Sequence, residues 1–232
     1  MERPDEPRMV RVAAMVADAT RARMLCFLLS GECAAAGELA RAADVAPATA
    51  SEHLARLVDA DLVVCEPRGR HRYYRLADGE VAHALEALAL VAERGSHDRS
   101  WGSPARQRLR AARCCYGHIA GALGVRLFEQ LREQHWIDSV DERYRLTEAG
   151  AAGITSWGLD GADWQRRMAN APHARWIYPC LDWSERRDHM AGKFAAALLE
   201  HFVARSWLKR RDGERALETT ARGRAACAWL VA

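Results

Sequence analysis

Two short segments gather most of the side chains able to do chemistry. Arg113-Cys114-Cys115-Tyr116-Gly117-His118 sets two thiols close before an imidazole, and Pro179-Cys180-Leu181-Asp182-Trp183 is followed by His189. Read as a helix, the first segment puts Cys114 and His118 four apart and Cys115 and His118 three apart, so either pair shares one face. Thiolates and imidazoles together suit zinc or another soft metal, with Cys115, His118, Cys180 and His189 as candidate ligands. Other uses of the same residues stay open. A thiolate beside Arg113 or His118 would have a lowered pKa and react with electrophiles. Buried thiols also serve as small packing residues with no further role, and there is no tight C-x-x-C pair to favour metal. Trp157, Trp164, Trp176, Tyr178 and Trp183, set among Arg166, Arg167, His173 and Arg175, have the composition of a pocket for a small organic molecule. The candidate ligand-binding residues are therefore Cys114, Cys115, Tyr116, His118, Trp176, Tyr178, Cys180, Asp182, Trp183 and His189.

A second chemistry lies nearer the start, between Gly37 and Leu76. A short helix, Gly37 to Ala42, a turn at Ala43 to Pro47 and a second helix, Ala48 to Ala60, are held across the turn by Leu39, Val45, Leu54 and Leu57. A strand at Leu62 to Glu66, a tip at Pro67 to Gly69 and a return strand at His71 to Leu76 complete a helix-turn-helix with a β-hairpin, the pattern of a winged helix. The second helix offers Thr49, Ser51, Glu52, His53 and Arg56, short polar groups and one guanidinium suited to base edges in a major groove. The hairpin carries Arg68, Arg70, Arg72 and Arg75, interleaved with His71, Tyr73 and Tyr74 and with no acid among them, which suits phosphate contact. Double-stranded DNA is the partner these residues imply.

Three stretches in the first 95 residues resemble the ArsR/SmtB family of bacterial repressors. Asp18-Ala19-Thr20-Arg21-Ala22-Arg23-Met24-Leu25 is similar to that family's D-x-x-R-x-x-I-L helix opening. Ala50-Ser51-Glu52-His53-Leu54-Ala55-Arg56-Leu57 is similar to its S-x-H-L-x-x-L recognition helix, and Arg68 to Leu76 to its R-x-G-R-x-x-Y-Y-x-L wing. The resemblance implies a homodimer joined by an N-terminal helix, here Val10 to Leu29, and a last helix, here Asp78 to Glu93 with Val81, Leu85, Leu88 and Val91 on one face. Two recognition helices one DNA turn apart would read a palindrome. The family's own metal sites do not carry over. The positions of its C-x-C motif are Ala35 to Leu39, and His83 lacks the aspartate that should precede it.

The remaining length needs a second purpose. With 232 residues, half of them apolar, the chain has material for two domains. All eight tryptophans lie from Trp101 to Trp229, a compositional break, and the polar, Gly- and Pro-bearing stretch around residues 96–105 reads as a linker. The division is then a DNA-binding and dimerisation domain over 1–95 and a sensor domain over 106–232, mainly α with small β-hairpins throughout. The opening residues are charged rather than signal-like, no apolar run reaches membrane length, and seven cysteines in such a chain favour free thiols, so a cytoplasmic protein without a membrane partner is expected. A net charge of +3 decides little. No P-loop, G-x-S-x-G, H-E-x-x-H or dinucleotide fingerprint occurs, so a regulator answering to a small-molecule or metal inducer is expected, rather than a cysteine-dependent enzyme or a winged helix used only for protein contact.

The second domain repeats itself. His118-Ile119-Ala120-Gly121 returns as His189-Met190-Ala191-Gly192, 71 positions later. At the same offset Leu127 matches Leu198, Trp136 matches Trp207, Ile137 matches Leu208 and Leu146 matches Leu217. Two copies, about 113–153 and 184–226, are each predicted to be a helix, a polar turn, a short strand and a Thr-started helix, like the back half of a winged helix. Packed about a pseudo-twofold axis, they would make His118 and His189 symmetry mates, with a ligand pocket at their junction.

Overall fold

In the computed structural model residues 9–31, 33–68, 71–92, 104–141, 143–211 and 214–227 are described. The chain divides into two compact units, residues 1–88 with 212–215 and residues 89–211 with 216–232. Arg70, His97 and the expected linker up to residue 103 lie outside the described residues.

The first unit begins with α1 (Met9–Val16) and α2 (Ala19–Leu28) where the sequence led us to expect one helix. Asp18 divides them. Its extended backbone lets Oδ1 accept from the Arg21 amide at 2.9 Å, an N-cap that starts a new helix instead of continuing the old one. Next come β1 (Ala34–Ala35), α3 (Ala36–Ala43) and α4 (Pro47–Asp59). α3 ends where Asp44 turns left-handed (φ 55°), and Pro47 opens α4 at a position with no helical N–H to lose. Leu39 and Ala43 of α3, Leu54 and Leu57 of α4, and Met24, Leu25 and Leu28 of α2 are all buried. Val45 is only half-buried. β2 (Val63–Arg68) and β3 (His71–Leu76) form the antiparallel wing, in register from Val63 opposite Leu76 to Arg68 opposite His71. β1 adds to the other edge of β3. α5 (Gly79–Ala92) closes the order.

The second unit is built twice from one plan. After α6 (Pro104–Ala111), the first copy runs β4 (Arg113–Cys115), β5 (His118–Ala120), α7 (Ala122–Glu133), β6 (Ile137–Val140), β7 (Arg143–Leu146) and α8 (Glu148–Ser156). α9 (Gly161–Asn170) intervenes. The second copy runs β8 (Tyr178–Leu181), β9 (Asp188–Ala191), α10 (Lys193–Ala204), β10 (Leu208–Arg210), β11 (Leu217–Thr219) and α11 (Ala221–Ala226). The repeat is therefore hairpin, helix, hairpin, helix. The Thr-started helices are matched in detail: Thr147 Oγ1 accepts from Gly150 N, and Thr220 Oγ1 from Gly223 N, both at 2.9 Å.

One sequence expectation is corrected here. The Cys114 to His118 segment is a tight β-hairpin and not a helix. Tyr116 (φ 47°) and Gly117 (φ 89°) both adopt positive φ, the geometry of a two-residue hairpin turn that breaks any helix at this point. The glycines of the two His-x-Ala-Gly segments have a local job. Gly121 (φ 78°) and Gly192 (φ 108°) each sit at the N-terminus of the following helix, and a Cβ there would fall 2.6 Å from Arg110 O or 2.3 Å from Trp176 O. They let the preceding backbone pass close by, rather than letting two helices approach.

The two copies embrace. α7 packs against β9 of the other copy, and α10 against β5. Gly124 of α7 makes room for this, since its missing Cβ would meet Ile119 O at 2.3 Å and His189 Cβ at 3.4 Å. Between the copies lies one apolar core with Phe128, Leu131, Phe194, Leu198 and Phe202 fully buried. Each such side chain contributes about 1.5–3 kcal/mol over its exposed state. Trp207 stacks on Phe202 at 5.3 Å between centroids, and Trp157 meets the same ring edge-on at 5.7 Å.

Candidate functional site

The first unit offers a surface for a charged polymer. On α4, Ala50, Leu54 and Leu57 face inward while Thr49, Ser51, Glu52 and Arg56 are exposed. The Ser51 hydroxyl donates back to Pro47 O at 2.9 Å. On the wing, Arg72 is exposed and Tyr73 half-exposed, while Tyr74 is buried. Arg68 and His71 pair through their backbones.

Two residues expected at this surface are otherwise engaged. His53 is half-buried, its Nδ1 3.5 Å from Asp18 Oδ1 and 3.4 Å from Arg21 Nη1. Arg21 is itself buried and donates to Met15 O at 2.9 Å and Ala14 O at 3.0 Å. The D-x-x-R and S-x-H-L motifs are thus two halves of one bracket that ties α4 to α2. The Arg21 amide hydrogen bond, aided by the charges of Arg21 and His53, holds the Asp18 carboxyl below its ordinary pKa. Arg75 donates to Glu66 Oε1 at 2.6 Å and to the carbonyls of Leu76 and Ala77, so it braces the wing.

The second unit brings together the four residues the sequence singled out as candidate metal ligands. β4 and β5 place Cys115 directly across from His118, and β8 and β9 place Cys180 directly across from His189. All four are buried, and their ligand atoms lie within 4.8 Å of one another. The two imidazoles meet Nε2 to Nε2 at 3.0 Å. Sequence comparison at a fixed offset of 71 aligned the histidines but not the thiols. The second hairpin has a longer loop, so Cys180 corresponds to Cys115 by strand pairing and not by sequence distance.

Behind the cluster stands a buried ion pair. Asp182 and Arg113 are both fully inaccessible, with Arg113 Nη2 3.0 Å from Asp182 Oδ2. The same oxygen accepts from Gly121 N at 2.7 Å and lies 3.2 Å from His189 Nδ1. Oδ1 accepts from the Ser184 amide and hydroxyl and from Glu185 N. Arg113 also donates to Leu109 O and Ser184 Oγ and stacks 4.5 Å over Trp183. Burial by itself would raise the Asp182 pKa, but His189, Arg113 and the Gly121 amide together hold the carboxyl well below the ordinary range. Burial would lower His189, yet the contacts with Asp182 and Cys115 push it up to about 9.

The rest of the expected ligand shell scatters. Cys114 points away from the cluster into the main core, 3.8 Å from Arg210 Nη1. Burial pushes its thiol up to about 11 despite that arginine, the opposite of the lowered value expected for a reactive cysteine. Tyr178 packs on the small buried group of Cys115, Ala120, Cys180 and Ala191. Tyr116 is half-buried in the hairpin turn. Trp176 lines a separate cavity of about 700 Å³ with Arg143, Tyr144, Met168, His173 and Ile177.

A winged helix with an exposed polar face on its second helix and an arginine on its wing defines a DNA-binding domain. Residues 16–66 match the family described as a helix-turn-helix domain. A curated relative, the uncharacterized HTH-type transcriptional regulator YdfF of Bacillus subtilis, is 36% identical over 220 residues, 95% of both chains. This chain belongs to that family of HTH-type transcriptional regulators, with a winged helix at its N-terminus. Over 86 residues it is also 38% identical to the HTH-type transcriptional regulator CmtR of Mycobacterium bovis, covering 37% of this chain and 72% of that one. The solution structure of the cadmium sensor CmtR from Mycobacterium tuberculosis aligns with 33% identity and a TM-score of 0.32, over 41% of this chain and 98% of that one. Among the described residues no helix is long and apolar enough to cross a membrane.

Proposed function

We propose that this regulator is a cytoplasmic repressor that binds a palindromic operator as a homodimer and is released by a signal received in the second unit. The observation that carries the DNA reading is the face of α4, where exposed Thr49, Ser51, Glu52 and Arg56 stand over a buried apolar row. The hydroxyls and Arg56 read base edges, and Arg72, with Arg68 and Arg70, contacts phosphate. The dimer reading rests on apolar side chains left exposed on α1 and α5: Met9, Val10 and Val12 on one, Leu88 and Val91 on the other. Exposed aliphatic residues on two helices find their burial in a second copy.

The signal site we favour is the buried cluster of Cys115, His118, Cys180 and His189. Two thiols and two imidazoles from separate hairpins converge there with their ligand atoms within 4.8 Å, which supports this choice. A small organic inducer in the cavity beside Trp176 is the second reading, supported by its aromatic and cationic lining. Footprinting of the full-length protein on the promoter of its own gene tests the first part. Two symmetric protected half-sites about one helical turn apart support it, and an unprotected promoter refutes it.

A further inference from the structure

Cys115, His118, Cys180 and His189 come from two hairpins in two copies of one repeat, yet their ligand atoms gather within 4.8 Å in a buried place. A tetrahedral zinc ion with two sulfur and two nitrogen ligands holds its nitrogens about 3.3 Å apart and its sulfurs about 3.8 Å apart. The observed His118–His189 separation of 3.0 Å is close to the first figure. The other separations are at most 4.8 Å, so shifts of about an ångström would complete the shell.

The surroundings carry the same implication. Two imidazole nitrogens in contact need a proton or a cation between them. Asp182 Oδ2 lies 3.2 Å from His189 Nδ1 and favours a proton there, so that once an incoming ion displaces the Nε2 proton the lone pair faces His118. Asp182 is locked by Arg113, Gly121 N and Ser184, so this orientation is built into the fold before anything binds. A carboxylate behind a ligating histidine is the usual outer partner of a zinc site. The S₂N₂ set selects soft or borderline d¹⁰ ions over magnesium or calcium. Binding a divalent ion would release one proton from each thiol and the one shared between the two imidazole nitrogens, and the two thiolates would neutralise its charge.

We propose that Cys115, His118, Cys180 and His189 bind one zinc-type metal ion, with Asp182 as the positioning residue that fixes His189. The proposal rests on the sensor reading above only for its consequence at DNA; the site itself stands on geometry. The ion would pin the two repeats together, since each copy supplies one Cys–His pair.

The test uses reduced, chelator-treated full-length protein titrated with Co²⁺ and then Zn²⁺. The expected result is one ion per chain by native mass spectrometry, with thiolate-to-cobalt charge-transfer and tetrahedral visible bands that Zn²⁺ bleaches. Cys115→Ser combined with Cys180→Ser should abolish those bands. Asp182→Asn should keep the one-ion stoichiometry but weaken affinity about 10–100-fold, which a merely structural aspartate would not do to a folded protein. Wild-type protein that takes up no ion and shows no bands overturns the proposal, and this reading needs no variant to fold. Bands that survive in the double serine variant overturn it as well, because the ion then lies elsewhere. Operator affinity is measured separately. An ion bound with unchanged operator affinity supports the site and refutes only the sensor reading.

Discussion

His118 and His189 touch Nε2 to Nε2 at 3.0 Å between the two repeats of the second unit. The contact depends on Asp182, which faces the far nitrogen of His189 and is itself held by Arg113 and the Gly121 amide. Removing the carboxylate should therefore cost more than one hydrogen bond. Asp182→Asn leaves Arg113 buried beside a neutral amide, and loss of one partner of a buried pair typically destabilises by about 3–5 kcal/mol. Urea unfolding of the metal-free protein followed by tryptophan fluorescence would measure it.

The same pair sets the pH dependence of the metal-free protein. The Asp182 carboxyl is lowered in the fold, so its stabilisation is present above the ordinary aspartate pKa near 4 and is lost as pH falls below it. His189 is raised to about 9, so its contribution is complete below about 6.5 and disappears as pH rises through 9. Wild-type stability should fall at both ends of the range, and Asp182→Asn should flatten both arms. Thermal unfolding between pH 3 and 10 checks this.

Arg72→Ala should weaken binding to every DNA sequence by a similar factor and reduce the slope of log affinity against log salt by about one. Arg56→Ala should instead cost about 1–3 kcal/mol on the operator and much less on unrelated DNA. Fluorescence anisotropy at several salt concentrations separates the two roles.

Leu88→Asp together with Val91→Asp should yield monomers. Both side chains are exposed in the single chain, at 49% and 53%, so charges there leave each protomer folded but would be buried unpaired in a dimer. Light scattering at micromolar concentration gives the mass, and operator binding should fall with it.

Gly121→Ala and Gly192→Ala should each destabilise the second unit by more than about 1 kcal/mol, since positive φ and a backbone carbonyl within van der Waals range oppose any Cβ. Chemical denaturation of each variant measures the cost.

Much of this architecture was legible in the residues. The wing and the helix-turn-helix follow from apolar periodicity and turn residues, and the repeat was visible in His-x-Ala-Gly and in the paired tryptophans. What failed did so for local reasons. The D-x-x-R motif marked Asp18 as a helix opening, yet the apolar pattern from Val10 to Leu29 read as one helix until the Asp18 cap is seen to split α1 from α2. Cys114, Cys115 and His118 fit helical spacing and hairpin spacing equally, and the Tyr116-Gly117 turn decided between them. The contact of His53 with Asp18, 35 positions away in sequence, left no local trace. Gathering Cys115 and Cys180 relied on assuming symmetry; the unequal hairpin loops hid the true correspondence.

The measurement that bears most directly on this regulator is operator affinity of the wild-type protein and of the Cys115→Ser, Cys180→Ser variant, each with and without added Zn²⁺. Wild-type affinity should drop at least tenfold on metal addition, while the variant binds the operator equally tightly in both conditions. Identical metal responses in the two proteins, or no specific DNA binding by either, would contradict a winged-helix repressor governed from the Cys–His cluster.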